Sequence, residues 1–156
     1  MADEIIPNLF LGDLDDAKTF DGRIYCVMNA WPIGEPDHAV WIPVTRAPEI
    51  MYGGTVRAVP PDKIKAHVEN LIVLAHLIHE DLIDSRVLVH CRAGRERSPF
   101  AIVWYLTHYP TRLAHKSYSR RVEYEWEDAY AFVKSKRSCV EDRTFWLPEA
   151  ERAKLL

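Results

Sequence analysis

The stretch Arg86-Val87-Leu88-Val89-His90 is apolar on successive positions, not on alternate ones. A strand of that kind is covered on both faces, as in parallel sheets flanked by helices. It runs without a break into Cys91-Arg92-Ala93-Gly94-Arg95-Glu96-Arg97-Ser98. From Glu96 to His108 the pattern is that of a mostly buried helix carrying Phe100, Ile102, Val103, Trp104 and Leu106, ended by Pro110. A buried strand, a short loop holding one thiol and a buried helix leave few architectures open.

The rest of the chain narrows them further. Leu9–Gly12, Ile24–Met28 and Ala39–Val44 are short β-rich runs bounded by Gly, Asn and Pro, and are expected to be strands. Asp62 can cap a helix in which Ile64, Val68, Leu71, Ile72, Ala75, Ile78 and Leu82 form one apolar face. Glu125–Lys136 is a further amphipathic helix, and Trp146–Leu156 a last short one. Thr45–Pro61, with Gly53-Gly54 and three prolines, is expected to be an irregular loop, and loops of that length are often functional. Strands alternating with helices predict an α/β fold: a central, mostly parallel sheet of four to five strands flanked by helices. The 156 residues suit a single domain over 1–156.

Charge and cysteine usage exclude several classes. Twenty Lys and Arg against 23 Asp and Glu give a net charge of -3, so no global basic field draws in nucleic acid. Three cysteines are too few for a disulfide scaffold and fit a reducing compartment. The apolar runs near Leu71–Ile78 and Phe100–Leu106 are too short or too interrupted to span a bilayer, so a cytoplasmic protein is expected. Cys26 reads as core, with a protective disulfide to Cys91 under oxidation as the lesser alternative. Cys139 reads as a surface or loop thiol. His67, His76 and His79 share a helix, but nothing around the His76-x-x-His79 pair completes a zinc pattern, and no metal is expected. Arg112, Lys116, Arg120 and Arg121 form a basic patch that reads as solvated surface or as a steering field for an anionic substrate.

The loop after the buried strand carries the chemistry. Ligands of open α/β sheets bind outside the carboxyl ends of the strands. A loop entering a helix there turns several backbone N–H groups into one concavity, an anion nest completed by the helix N-terminus. Gly94 lets that backbone turn. Arg97 can close the ring with a bidentate fork on two phosphate oxygens. The same surroundings draw the proton from Cys91, since thiols at helix N-termini beside Arg titrate at about 3.5–7.5. Ser98 can donate to the Cys91 sulfur, and His90 can fix the loop through a ring hydrogen bond.

Val87-Leu88-Val89-His90-Cys91-Arg92-Ala93-Gly94, followed by Arg97-Ser98-Pro99, resembles the active-site signature of the cysteine-dependent protein tyrosine phosphatases, and most closely that of the dual-specificity phosphatases. Glu4–Gly12 is similar to the opening strand of that family, Met28-Asn29-Ala30 to its second-strand ending, and Glu127–Lys134 with Lys136-Arg137 to its penultimate helix. The resemblance implies a metal-free, cofactor-free hydrolase acting on phosphate monoesters of phosphoproteins. Phosphotyrosine is the implied substrate, with phosphoserine and phosphothreonine open. Cys91 is the implied nucleophile, Arg97 binds the transition state and Ser98 stabilises the thiolate. The N–H groups of Arg92, Ala93, Gly94, Arg95, Glu96 and Arg97 hold the phosphoryl oxygens. His90 and Asn29 support the loop. The cysteinyl-phosphate is then hydrolysed by water.

The general acid is the point of departure. The family places an Asp soon after the strand that here is Ala39–Val44, where this chain has Val44-Thr45-Arg46. Asp62 and Glu49 are the candidates, and Asp62 also reads as a helix N-cap. Glu96, where the family carries an uncharged residue, must turn away or pair with a cation such as Arg92 or Arg95, or else serve as a replacement acid. Two alternatives remain open at this level. One is a phosphate-binding pseudophosphatase that recruits phosphorylated partners. The other is a phosphatase acting on RNA 5′ phosphates or phosphoinositides.

Overall fold

The computed structural model describes residues 1–46, 51–52, 55–56, 63–109, 111–113, 120–122 and 124–155, with backbone alone at 51–52, 55–56, 111–113 and 120–122. The N-terminus forms two strands, β1 (Asp3–Ile6) and β2 (Leu9–Gly12), where a single opening strand is expected. They pair antiparallel around Asn8, whose φ of 69° makes the reversal. Asn is among the few residues with a side chain that tolerate this region. After β2 comes α1 (Leu14–Thr19), closed by a reciprocal capping box between Asp13 and Asp16. Next are β3 (Arg23–Cys26) and β4 (Val40–Trp41), both shorter than the apolar runs suggest.

Thr45–Pro61 is not wholly irregular. β5 (Thr45–Arg46) pairs with β8 (Lys65–Ala66), and β6 (Met51–Tyr52) pairs with β7 (Thr55–Val56). The two residues separating β6 from β7 are Gly53-Gly54, a strong hairpin signal. Helix α2 (Val68–Asp81) starts five residues later than expected. Its cap is His67, whose Nδ1 accepts from the Asn70 N–H at 3.3 Å, so Asp62 does not cap it. Ile64 therefore precedes the helix. Pairing of β8 with β5 takes the backbone of Lys65 and Ala66 and keeps them out of the helix.

β9 (Val87–His90) is the buried strand, and every one of its residues is buried. The sheet order is β1-β2-β9-β3-β4, with β2, β9, β3 and β4 parallel and β1 an antiparallel edge. The expected α/β class and strand count therefore stand. α3 (Arg97–His108) is buried from Ser98 to Leu106 between α2 and α4 (Trp126–Lys136). Val87 and Val89 point into this core, which also holds Leu71, Leu74, Phe100, Ile102 and Val133. Leu88 points to the other face, against Ala17 of α1 and Ile24. Each such side chain contributes about 1.5–3 kcal/mol by leaving water. Covering both faces of β9 is why its sequence does not alternate.

The Phe100 ring meets Trp126 and Trp146 edge-on at 5.7 and 5.4 Å. These contacts tie the start of α3 to α4 and to a 3-10 turn at Thr144–Trp146, which precedes α5 (Glu149–Ala153). A last hairpin, β10 (Thr111–Leu113) with β11 (Arg120–Val122), puts Arg112 opposite Arg121, while Lys116 lies outside the described residues. No described helix is long and apolar enough to cross a membrane.

Candidate active site

The loop from Cys91 to Glu96 leaves the carboxyl end of the central strand and enters α3. What shapes it is the fate of its carbonyl groups. The Cys91 carbonyl lies 3.2 Å from His90 Nδ1. The Arg92 carbonyl accepts from Leu14 N–H at 3.2 Å, where β2 turns into α1. Arg137 takes the next two, its Nη2 donating to Ala93 at 3.2 Å and its Nε to Gly94 at 3.0 Å. Glu141 N–H donates to Arg95 at 2.8 Å, and Phe100 N–H to Glu96 at 3.1 Å. The four carbonyls from Arg92 to Arg95 are thus drawn outward by surrounding segments, and that of Glu96 opens the ladder of α3. A peptide plane whose C=O points out turns its N–H in, so holding these carbonyls with backbone N–H groups and with the Arg137 and His90 side chains makes the loop an N–H-lined nest.

Cys91 sits on the floor of that nest, 2% exposed. Its Sγ lies 3.2 Å from Ser98 Oγ, itself fully buried. Burial is the largest influence on the thiol and pushes its pKa up. The Ser98 hydroxyl, the Ser98 N–H, the Arg97 charge and the Gly94 N–H act together against it and hold the pKa below the ordinary thiol value. Cys26 shows the contrast. Burial dominates there, and the thiol is pushed up to about 11. It is an inert core residue, and Cys139 is exposed near the Gly94 carbonyl.

Gly94 has a φ of +66°, and a Cβ there would stand 2.7 Å from the Gly12 carbonyl oxygen and 2.8 Å from Arg137 Nη2. The backbone obstacle cannot swing aside. Gly94→Ala is expected to cost about 1–3 kcal/mol in urea unfolding. It should also lower activity in protein that is still folded, because the Arg137 clamp must move.

Glu96 is half-buried and reaches Arg143 Nη2 at 3.6 Å. Arg143 also pairs with Glu141, which pairs with Arg95. The cation found beside Glu96 is Arg143 from the C-terminal segment, not Arg92 or Arg95. Asn29 also differs from expectation. Its Oδ1 accepts from Thr45 Oγ1 at 2.7 Å, so the hydrogen bond found at its side chain braces the strand that opens the 45–61 segment and does not reach the nest. Asp62 and Glu49 both lie outside the described residues.

Arg137, Arg143, Gly12 and Glu35 are the positions that motif reading leaves out. Glu35 is the most unexpected. Its side chain is wholly buried and its Oε1 lies 2.7 Å from His90 Nε2. Arg137 has one faint signal, its place at the end of the penultimate-helix resemblance. Gly12 has a similar one, its place at the end of the opening-strand resemblance, whereas Arg143 and Glu35 carry none, because nothing local marks a residue whose partner is tens of positions away.

Solved structures share this architecture. A mouse putative dual specificity phosphatase complexed with zinc tungstate matches with a TM-score of 0.64 and 20% identity, over 99% of this chain and 85% of that one. A variant of human DUSP28 matches with 0.63 and 18%, over 99% and 92%. A human tyrosine phosphatase-like serine/threonine/tyrosine-interacting protein matches with 0.63 and 18%, over 99% and 98%. No protein-family model matches the sequence, and no curated protein is a recognisable relative. The chain has the fold of the small dual-specificity phosphatases.

Proposed function

We propose that this chain is a phosphatase that hydrolyses phosphate monoesters on phosphoproteins through a cysteinyl-phosphate. The observation that carries the reading is a buried Cys91 thiol, held toward its thiolate by Ser98 and Arg97 on the floor of a nest of inward N–H groups. In the first step the Cys91 thiolate attacks phosphorus, the bond to the leaving oxygen breaks, and a carboxylic acid gives that oxygen its proton. In the second, the carboxylate left by that acid takes a proton from water as the water oxygen attacks phosphorus, the S–P bond breaks and the electron pair returns to sulfur, where the Ser98 hydroxyl receives it by hydrogen bonding. The N–H groups of Arg92 to Arg97 and the Arg97 guanidinium hold the three equatorial oxygens throughout. None of these steps calls for a metal or cofactor. The zinc tungstate held by the mouse protein of similar fold fits the same chemistry, since tungstate is a phosphate-shaped oxyanion.

Asp62 and Glu49 are proposed for the acid, Asp62 first. The start of α2 at Val68, capped by His67, removes the competing role of Asp62 as the cap of that helix. Phosphotyrosine is the first substrate class, with phosphoserine and phosphothreonine next. The net charge of -3 offers no attraction for RNA 5′ phosphates or phosphoinositides beyond what local charge supplies.

The test is the pH dependence of kcat/KM on an aryl phosphate in the presence of a chelator, for wild type and for Asp62→Asn, Glu49→Gln and Glu96→Gln. Wild type should give a bell. Its basic limb should vanish in the acid variant, with a loss of about 10²–10⁴-fold. Glu96→Gln should keep both limbs. A wild type that binds phosphopeptides tightly and releases no phosphate would instead support a pseudophosphatase.

A further inference from the structure

The carboxyl ends of β3 and β9 carry a cluster of donor atoms that the two chemical steps do not use. Parallel pairing sets Cys26 of β3 opposite His90 of β9, and the Val27 N–H, donating to the His90 carbonyl at 3.0 Å, holds that register. Glu35, from the connection between β3 and β4, reaches in beside them, its Oε1 2.7 Å from His90 Nε2. The Cys26 sulfur, a His90 ring nitrogen and a Glu35 carboxylate oxygen lie within 4.8 Å of one another, and all three residues are buried. They stand far apart in the sequence, where no ligand spacing announces them. The Glu35 side chain is wholly buried, yet its Oε2 has no hydrogen-bond partner among the described residues. A carboxylate oxygen so placed is costly unless something pairs with it.

We infer that Cys26, His90 and Glu35 form a closed structural site for Zn²⁺. A thiolate, an imidazole and a carboxylate together suit zinc and not the hard cations, which take oxygen donors. At the usual bond lengths a tetrahedral zinc spaces its ligand atoms roughly 3.4–3.6 Å apart. The sulfur has at most roughly 1 Å to close toward the others, and the nitrogen–oxygen pair opens by less. The second carboxylate oxygen is at hand to complete the coordination, which gives Oε2 the partner it lacks. The His90 ring is already held as metal-bound imidazoles are. Its Nδ1 faces the Cys91 carbonyl at 3.2 Å, which only accepts, so Nε2 is left to the ion. The Cys26 thiol that burial makes inert toward electrophiles is not barred from ligation, because the ion itself displaces the proton. A second proton, shared by His90 Nε2 and Glu35 Oε1, leaves with it. Two positive charges depart as two arrive, so the interior gains no net charge. The site leaves no position open to a substrate, and the ion ties the connection between β3 and β4 to the strand end from which Cys91 departs.

The test uses the full chain carrying Cys91→Ser and Cys139→Ser, which leaves Cys26 as its single thiol. It is produced in cells grown with added cobalt, because a wholly buried site fills as the chain folds. Co²⁺ stands in for Zn²⁺, which has no visible spectrum. About one cobalt per chain is expected by elemental mass spectrometry. A thiolate-to-cobalt charge-transfer band in the near ultraviolet should accompany it, together with the strong visible bands of a tetrahedral ion. Growth with zinc should give the same metal ratio without those bands. In this background Cys26→Ser should abolish the charge-transfer band. Glu35→Gln should weaken cobalt binding at least about tenfold against a competing chelator, with circular dichroism showing the chain folded. No bound cobalt, cobalt bound without the thiolate band, or a band that survives Cys26→Ser overturns the inference. If Cys26→Ser fails to fold, the band of the parent chain decides alone, since only Cys26 is left to supply the thiolate. The phosphatase reading is not at stake, because every protein in the test lacks the nucleophile.

Discussion

Cys91→Ser is expected to abolish hydrolysis of an aryl phosphate, lowering kcat/KM by at least roughly 10⁴-fold while the folded protein still binds phosphate. The size of the effect follows from what the site is built to do. The Ser98 hydroxyl and N–H, the Gly94 N–H and the Arg97 charge overcome the burial of Cys91 and bring a thiol to its anion. They act on a group whose ordinary pKa is about 8.5, so a net downward shift enlarges its charged fraction near neutrality. An alcohol begins far higher, and the same surroundings cannot ionise it. The sign for wild type is therefore fixed. The thiolate is present above the lowered pKa and lost below it, and the acidic limb of kcat/KM must lie below the value for a free thiol. Inorganic phosphate affinity should survive the substitution, because the nest is held by carbonyl contacts that do not involve the sulfur.

Arg97→Lys is expected to lower kcat/KM by roughly 10²–10³-fold, mostly in kcat. Arg97 is the first residue of α3, at the rim of the nest. Its planar fork can match two equatorial oxygens at once, and that match improves as phosphorus flattens in the transition state. Lysine keeps the charge but offers a point, not a fork. The Cys91 alkylation midpoint should then move little while turnover collapses. That combination separates geometric loss from electrostatic loss. Arg97→Ala should move both.

The motif was legible because its parts are local. Cys91, Gly94, Arg97 and Ser98 lie within eight residues, and the successive apolar positions of Val87 to Val89 announce a strand covered on both faces. The parallel sheet follows from that strand. The supports of the loop were not legible. Arg137 reaches Ala93 and Gly94 across more than forty positions, Glu35 reaches His90 across fifty-five, and Arg143 neutralises Glu96 from the C-terminal segment. None of these pairings has a periodicity or spacing to reveal it. The helix boundary at His67 is hidden from the sequence for a related reason. Ile64 fits the apolar rhythm of α2, but antiparallel pairing of Lys65 and Ala66 with Arg46 and Thr45 overrides it. Asn29 has its hydrogen-bond partner, Thr45, in the segment whose sequence suggests only a loop.

The account turns on covalent chemistry at one sulfur, and rapid quenching tests it most directly. Enzyme mixed with a radiolabelled aryl phosphate is denatured within the first turnover and digested, and the label is located by mass spectrometry. Phosphate should be found on Cys91, absent from Cys26 and Cys139, and should accumulate further in Ser98→Ala, where the leaving thiolate has lost its hydrogen bond. Steady turnover with no phosphate on Cys91, or turnover that persists in Cys91→Ser, would contradict it.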